Sequence, residues 1–233
     1  AQQTADVRSE KRCALIFCAD HGVVAEGETQ TGSEVTALVA RSIAEGTANV
    51  NLMASVSHTD VFAVDMGMLR AVPGTIDRRV ACGTTNIARG PAMTRAQAEQ
   101  AVQAGIDLVG ERKARGYQIV ATGEMGIGNT TASAAVACAL LGLSPEEATG
   151  RGAGLSDAGL ARKRNAVARA LDINRPRADD PLDSLAKVGG FEIAAMTGAF
   201  LGGAEHRVPV VIDGVISAAA ALAAARIRPE ARE

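Results

Sequence analysis

The chain has 233 residues, a formal net charge of −2, 47% hydrophobic residues and only 2% aromatics, with no Trp. It is large enough for one α/β domain with an aliphatic, Ala/Gly-rich core, and its weak charge and scarce stacking rings exclude a nucleic-acid surface. Cys13, Cys18, Cys82 and Cys138 show no C-x-x-C spacing, which argues against a zinc site or a disulfide framework. Reduced, mostly buried thiols and a polar N-terminal stretch without an apolar signal segment point to a cytoplasmic protein.

In chain order, Cys13 to Ala19 (CALIFCA) is a continuous apolar run, as expected of a strand buried on both faces. Asp20-His21-Gly22 follows, then a loop with Gly27 and Gly32. Ser33 opens a helix with Glu34 in its first turn, where an acid suits the dipole. Gly46 separates it from a second helix ending near Ser57. Asp60 to Asp65 is the next strand. The Gly-, Pro- and Arg-rich region from Gly67 to Pro91 is long for a connection, and such loops are usually functional or mobile. Thr94 and Gln97 form a capping box, and Ala98, Val102, Ile106 and Val109 then recur on one helical face.

Tyr117 to Ala121 is the third strand. Gly123, Gly126 and Gly128 punctuate the loop after it, and Asn129, Thr130 and Thr131 open an alanine-rich helix of about three turns. The uncharged stretch from Met125 to Pro145 is long enough to span a bilayer. Its Gly, Asn, Thr and Ala content suits a buried helix better, so no membrane partner is expected. RGAGL at 151 to 155 is a second glycine-rich turn. Helices follow from Asp157 to Leu171, from Pro181 behind Asp180, and from Phe191 to Leu201 after Gly189-Gly190. Val208 to Ile212 is the fourth strand, before Asp213-Gly214 and a small-residue helix from Ile216 to Ala225. Strands alternating with helices call for a Rossmann-like, three-layer, mostly parallel sheet with helices on both faces.

A glycine loop between a strand and a helix start makes an anion site from backbone N–H groups and the helix dipole. The spacing G-x-x-x-x-G-N-T at Gly123 to Thr130 is one residue from the nucleotide-triphosphatase loop. Asn129 stands where that loop has lysine, which reads as a site for a smaller phosphate; a plain packing turn is the alternative. Asp20, Asp65, Glu124 and Asp213 end apolar strand-like runs, so a parallel sheet would gather all four on its ligand-binding carboxyl edge. Each could instead cap the following helix. Lys163 can carry charge to a phosphate at Gly150 to Gly154, or belong to a solvated basic face. His21 reads as a proton carrier or as a satisfied turn histidine. Anion cradle and carboxylates together suit a sugar phosphate that develops cationic character.

Seven segments carry a resemblance: ADHGV at 19 to 23, SEVT at 33 to 36, GTTNIARGPAMT at 83 to 94, GEMGIGNTTASAA at 123 to 135, GRGAGLSDAGLARK at 150 to 163, GGFEIAAMTGAFLG at 189 to 202 and PVVIDGVISAAAAL at 209 to 222. In these the chain closely resembles the nicotinate-nucleotide:dimethylbenzimidazole phosphoribosyltransferase family, which builds the lower-ligand nucleotide of cobalamin. The resemblance implies transfer of phosphoribose from nicotinate mononucleotide to a benzimidazole nitrogen, by a Rossmann-like homodimer with no metal or cofactor. It implies that Glu124 is the carboxylate at the benzimidazole pocket, walled by Met125 and flanked by Thr31 and Val39. Gly126, Gly128, Asn129, Thr130, Gly152, Gly154, Lys163 and Asp213 are the implied phosphate and ribose contacts, with Asp20 and His21 beside them. Family members also carry a Pro-Pro-Gly-Ser-Leu-Gly region, a small helical domain and an Arg-Leu-Gly-Glu-Gly segment whose glutamate accepts the proton. These have no counterpart here, so residues 1–233 are expected to be the large α/β domain, with slow or no turnover and Glu124 as the substitute base. A silent nucleotide-binding protein and a metal-dependent phosphoryl-transfer enzyme are the other readings.

Overall fold

The computed structural model describes residue 2 and residues 4–232. Five strands form one parallel sheet in the order β3-β2-β1-β4-β5. They are β1 (Arg12–Ala19), β2 (Thr59–Gly67), β3 (Ile76–Asp77), β4 (Ile119–Met125) and β5 (Val210–Val211). The helices are α1 (Glu34–Ala44), α2 (Asn49–Val56), α3 (Arg95–Ala114), α4 (Asn129–Leu141), α5 (Pro145–Ala148), α6 (Asp157–Asn174), α7 (Pro181–Val188), α8 (Phe191–His206) and α9 (Gly214–Ile227). This is the Rossmann-like α/β architecture.

The apolar run of β1 is central, and its alternate residues serve two cores. Cys13, Leu15, Phe17 and Ala19 face the larger layer, which includes α3, α4 and α6 to α9. Ala14, Ile16 and Cys18 face a smaller cluster with Ala40 and Ile43 of α1. With few aromatics, the large layer closes through backbone proximity. A Cβ added at Gly105 of α3 would sit 1.9 Å from the Ala195 carbonyl oxygen, and one at Gly198 of α8 would sit 1.9 Å from that of Val102. Local caps agree with the sequence. Thr94 accepts from the Gln97 N–H and closes the capping box, and Asp180 caps α7 ahead of Pro181.

Four expectations change. β4 runs on through Gly123, Glu124 and Met125, opposite Ile16, Phe17 and Cys18 of β1. The parallel ladder outweighs the glycine, whose missing side chain leaves room for Ile16: a Cβ there would lie 2.5 Å from it. Glu124 is therefore a strand-end residue, and the turn itself is only Gly126 to Gly128. Second, a fifth strand, β3, lies inside the long Gly67-to-Pro91 connection. That connection is tied down: Thr84 donates to the Asp20 carbonyl at 2.9 Å and Ala92 to that of Lys187 at 2.9 Å. Third, β5 keeps only two residues. Fourth, a 3₁₀ turn, Gly22–Glu26, occupies the loop after β1, and α5 is a short extra helix.

β2 and β3 lie on one side of β1, and β4 and β5 on the other. Chain direction across the sheet reverses between β1 and β4, and the crevice beyond the carboxyl ends at such a switch point is where open α/β sheets bind ligands.

Candidate functional site

The four strand-end acids all reach the carboxyl edge but part company there. Asp65 is spent locally: its Oδ1 accepts the Gly67 and Met68 N–H groups at 3.0 and 2.9 Å, and its Oδ2 pairs with Arg79 at 2.7 Å. The expectation that it faces a ligand is corrected, because those donors already hold it in a turn. Asp213 occupies the position before α9, makes no capping bond and is exposed. Asp20 and Glu124 lie at the switch point, ending β1 and β4. Asp20 Oδ2 accepts the Leu69 N–H at 2.7 Å, while its Oδ1 is buried without a partner. Glu124 accepts a hydrogen bond from the Asn129 side-chain amide. Burial holds the Glu124 carboxyl above its ordinary range; Glu192 and Asp213 push the same way, against the Asn129 bond and His21. Burial also raises the Asp20 carboxyl.

His21 lies between these acids. Its Nε2 meets Glu192 Oε1 at 2.6 Å, with the two side chains only 1% and 0% exposed. Burial disfavours the charged imidazole, but Glu192, with Asp20 and Glu28 behind it, outweighs that cost and holds the proton above the ordinary histidine range. The turn-histidine reading is thus replaced by a buried ion pair.

Beyond the Gly126–Gly128 turn lies a cavity of ≈140 Å³ that brings the two glycine turns together. Its walls include Gly126, Gly128, Asn129, Thr130, Gly152, Lys163, Glu28 and Thr31. Gly128 starts α4 with φ +98°, a left-handed conformation that suits glycine. Lys163 is not part of a solvated face. It is 1% exposed, and its Nζ donates to Thr130 Oγ1 at 2.6 Å. Its neighbours turn elsewhere: Arg162 donates to the Gly27 carbonyl at 2.8 Å, and Arg164 approaches the Glu146 carbonyl. A Cβ at Gly152 would stand 3.2 Å from Lys163 Nζ, so this turn must approach the ammonium as bare backbone. Burial lowers the Lys163 pKa, against the pull of Glu28.

The remaining expected residues lie around this centre. Met125 and Val39 both pack against the small cluster of α1 and the sheet, and neither lines the cavity. Thr31 is exposed, and its carbonyl accepts from Thr29. Gly154 lies outside the cavity wall, its carbonyl held by Gln30 at 2.6 Å.

Sequence reasoning missed Glu28 and Glu192. Glu28 is buried, accepts from Thr131 Oγ1 at 2.6 Å and is raised by burial. Glu192 sits inside an apolar helix, GGFEIAAMTGAF; an acid amid such a run was the available signal. Among the described residues, no group of three His, Cys, Asp or Glu side chains is arranged to hold a metal ion, and no helix is long and apolar enough to cross a membrane.

A family profile described as "Phosphoribosyltransferase" matches residues 1–233. The chain is 49% identical over 220 residues to a protein of Ruminiclostridium cellulolyticum named nicotinate-nucleotide--dimethylbenzimidazole phosphoribosyltransferase, covering 94% of this chain and 62% of the relative. It is 46% identical over 225 residues to the protein of that name from Acetivibrio thermocellus, covering 96% and 64%. It therefore spans less than two thirds of the length of these relatives. The crystal structure of CobT from Thermus thermophilus superposes with a TM-score of 0.91 at 42% identity, covering 97% of this chain and 68% of that one. With its whole length matched by the family profile, the chain belongs to the phosphoribosyltransferase family.

Proposed function

We propose that this chain binds nicotinate mononucleotide and a benzimidazole base and transfers phosphoribose between them, forming α-ribazole 5'-phosphate and nicotinate. One observation carries the reading. Asn129 and Thr130, adjacent at the start of α4, tie two opposite charges to one helix end: Asn129 holds the Glu124 carboxylate and Thr130 holds the Lys163 ammonium. A sugar phosphate laid along this edge has its phosphate at Lys163 and the glycine turns and its anomeric carbon toward the acids.

The chemistry fits the groups present. The pyridinium leaving group departs with its charge neutralised, so no general acid is required. The ribosyl centre gains positive charge, which the nearby carboxylates stabilise electrostatically. The incoming azole has to lose a proton, and Glu124, its pKa raised by burial, is the acceptor. The apolar side of the base rests on Met125 and Val39. A homodimer in a cytoplasmic setting belongs to the same proposal.

The test combines titration calorimetry with product analysis. Binding of nicotinate mononucleotide, followed by release of nicotinate and formation of ribazole phosphate with dimethylbenzimidazole, supports the proposal. Slow turnover is the expected result; a rate matching a full-length relative would refute that expectation and show that Glu124 suffices as the base. Binding without turnover would favour a silent nucleotide-binding protein, and binding abolished by a chelator would favour metal-dependent chemistry; either result overturns transfer by this chain.

A further inference from the structure

The buried pair His21 and Glu192 does not itself line the cavity or, by the reading above, touch the reacting atoms, but the imidazole packs behind two wall residues, Gly126 and Gly128. Glu192 is in the first turn of α8, where the helix dipole favours an anion. The imidazole is wedged between backbones. A Cβ added at Gly190 would stand 2.4 Å from His21 Cε1, one at Gly126 would stand 3.2 Å from Nε2, and one at Gly128 would stand 3.1 Å from the His21 Cβ. The ring thus links the α8 start to the turn between β4 and α4.

A purely structural buried pair normally has its remaining polar atoms satisfied. Here His21 Nδ1, Glu192 Oε2, Asp20 Oδ1 and Glu28 Oε1 are all buried without partners. The carboxyl groups whose charge acts on the imidazole belong to Glu192 of α8, Asp20 after β1, Glu28 after the 3₁₀ turn and Glu124 of β4, with Glu192 in direct contact. A cationic imidazole is favoured by its contact with Glu192 and by the acids around it.

We propose that Glu192 is a positioning residue: by holding His21 as the cation between these acids, it keeps the Gly126–Gly128 turn and the Glu124 carboxylate in place for the incoming base. The identity of the base rests on the phosphoribosyl-transfer reading; the positioning itself does not.

The experiment compares wild type with Glu192→Gln and Glu192→Asp. Dimethylbenzimidazole and nicotinate mononucleotide are titrated separately, and the His21 ring and the Gly126 and Gly128 amides are followed by NMR across neutral pH. Glu192→Gln is expected to weaken the azole by about 10-fold, the scale of one bond to a charged group. Nicotinate mononucleotide, held by Lys163, is expected to change far less, and Glu192→Asp to restore most of the loss. The wild-type ring is expected to stay protonated above the ordinary histidine range and to lose its proton there in Glu192→Gln, with shifts at both glycines. Unchanged azole affinity, equal loss for both ligands, or unshifted glycine amides would overturn the proposal. If Glu192→Gln does not fold, the wild-type ring decides, and a neutral imidazole at pH 7 overturns it. If wild type binds neither ligand, the substrate reading fails alone and the NMR comparison judges the positioning.

Discussion

Replacing Lys163 by Met tests the phosphate cradle most directly, because Met keeps an apolar stem of similar length and removes only the ammonium. Thr130 takes one of the three ammonium protons. The Nζ stands beside the bare backbone of Gly152, in the wall of a cavity of ≈140 Å³. A phosphate there would accept at least one charge-assisted bond, worth about 1.5–3 kcal/mol. Losing it weakens nicotinate mononucleotide by about 10- to 150-fold. Calorimetric titration measures this, with nicotinate riboside, which lacks the phosphate, as the control. The riboside should bind both proteins equally. Circular dichroism checks the fold, since the change lifts the burial cost of Lys163 but leaves Glu28 less compensated. An affinity for the nucleotide within two-fold of wild type, or an equal loss for the riboside, would refute the cradle.

Two further outcomes follow from the packing and the charges. Burial raises the Glu124 pKa, so the native chain holds that proton more tightly than the unfolded one, and stability present below the ordinary carboxyl value is lost as pH rises through the folded value. Glu124→Gln should therefore raise Tm at pH 8, leave it unchanged at pH 4 in scanning calorimetry, and weaken azole binding; equal Tm shifts at both pH values would contradict this. Gly198→Ala drives a methyl onto the Val102 carbonyl and should lower unfolding stability by about 1–3 kcal/mol or more. Gly90→Ala, where an added Cβ meets nothing within 4 Å, should leave the denaturant midpoint unmoved.

Much of the fold was legible because its signals are local. CALIFCA reads as a strand buried on both faces, and β1 is the middle strand with a core on each side. The Thr94 box and the Asp180-Pro181 start depend on residues three apart or less, and both caps form as read. The β4 boundary misled because Gly123 is a breaker by propensity, while its partner Ile16 lies more than a hundred residues away. β3 was invisible for the same reason: two residues in a Gly- and Arg-rich segment become a strand only because Val64 and Asp65 lie alongside.

The site divides in the same way. Strand-end acids and glycine turns follow from local pattern plus the parallel crossover rule, so the sequence alone determined that acids and a glycine turn share one edge. It could not tell Asp65, consumed by two backbone N–H groups and Arg79, from Asp20, because that choice depends on which donors the long connection brings back. Nor could it show that Lys163 leaves the basic face of α6 for the cavity, or that Glu192 reaches His21 across 171 positions. Burial and the pairing of charges distant in the chain are properties of the packed molecule. They set which groups hold their protons, and only the tertiary structure decides them.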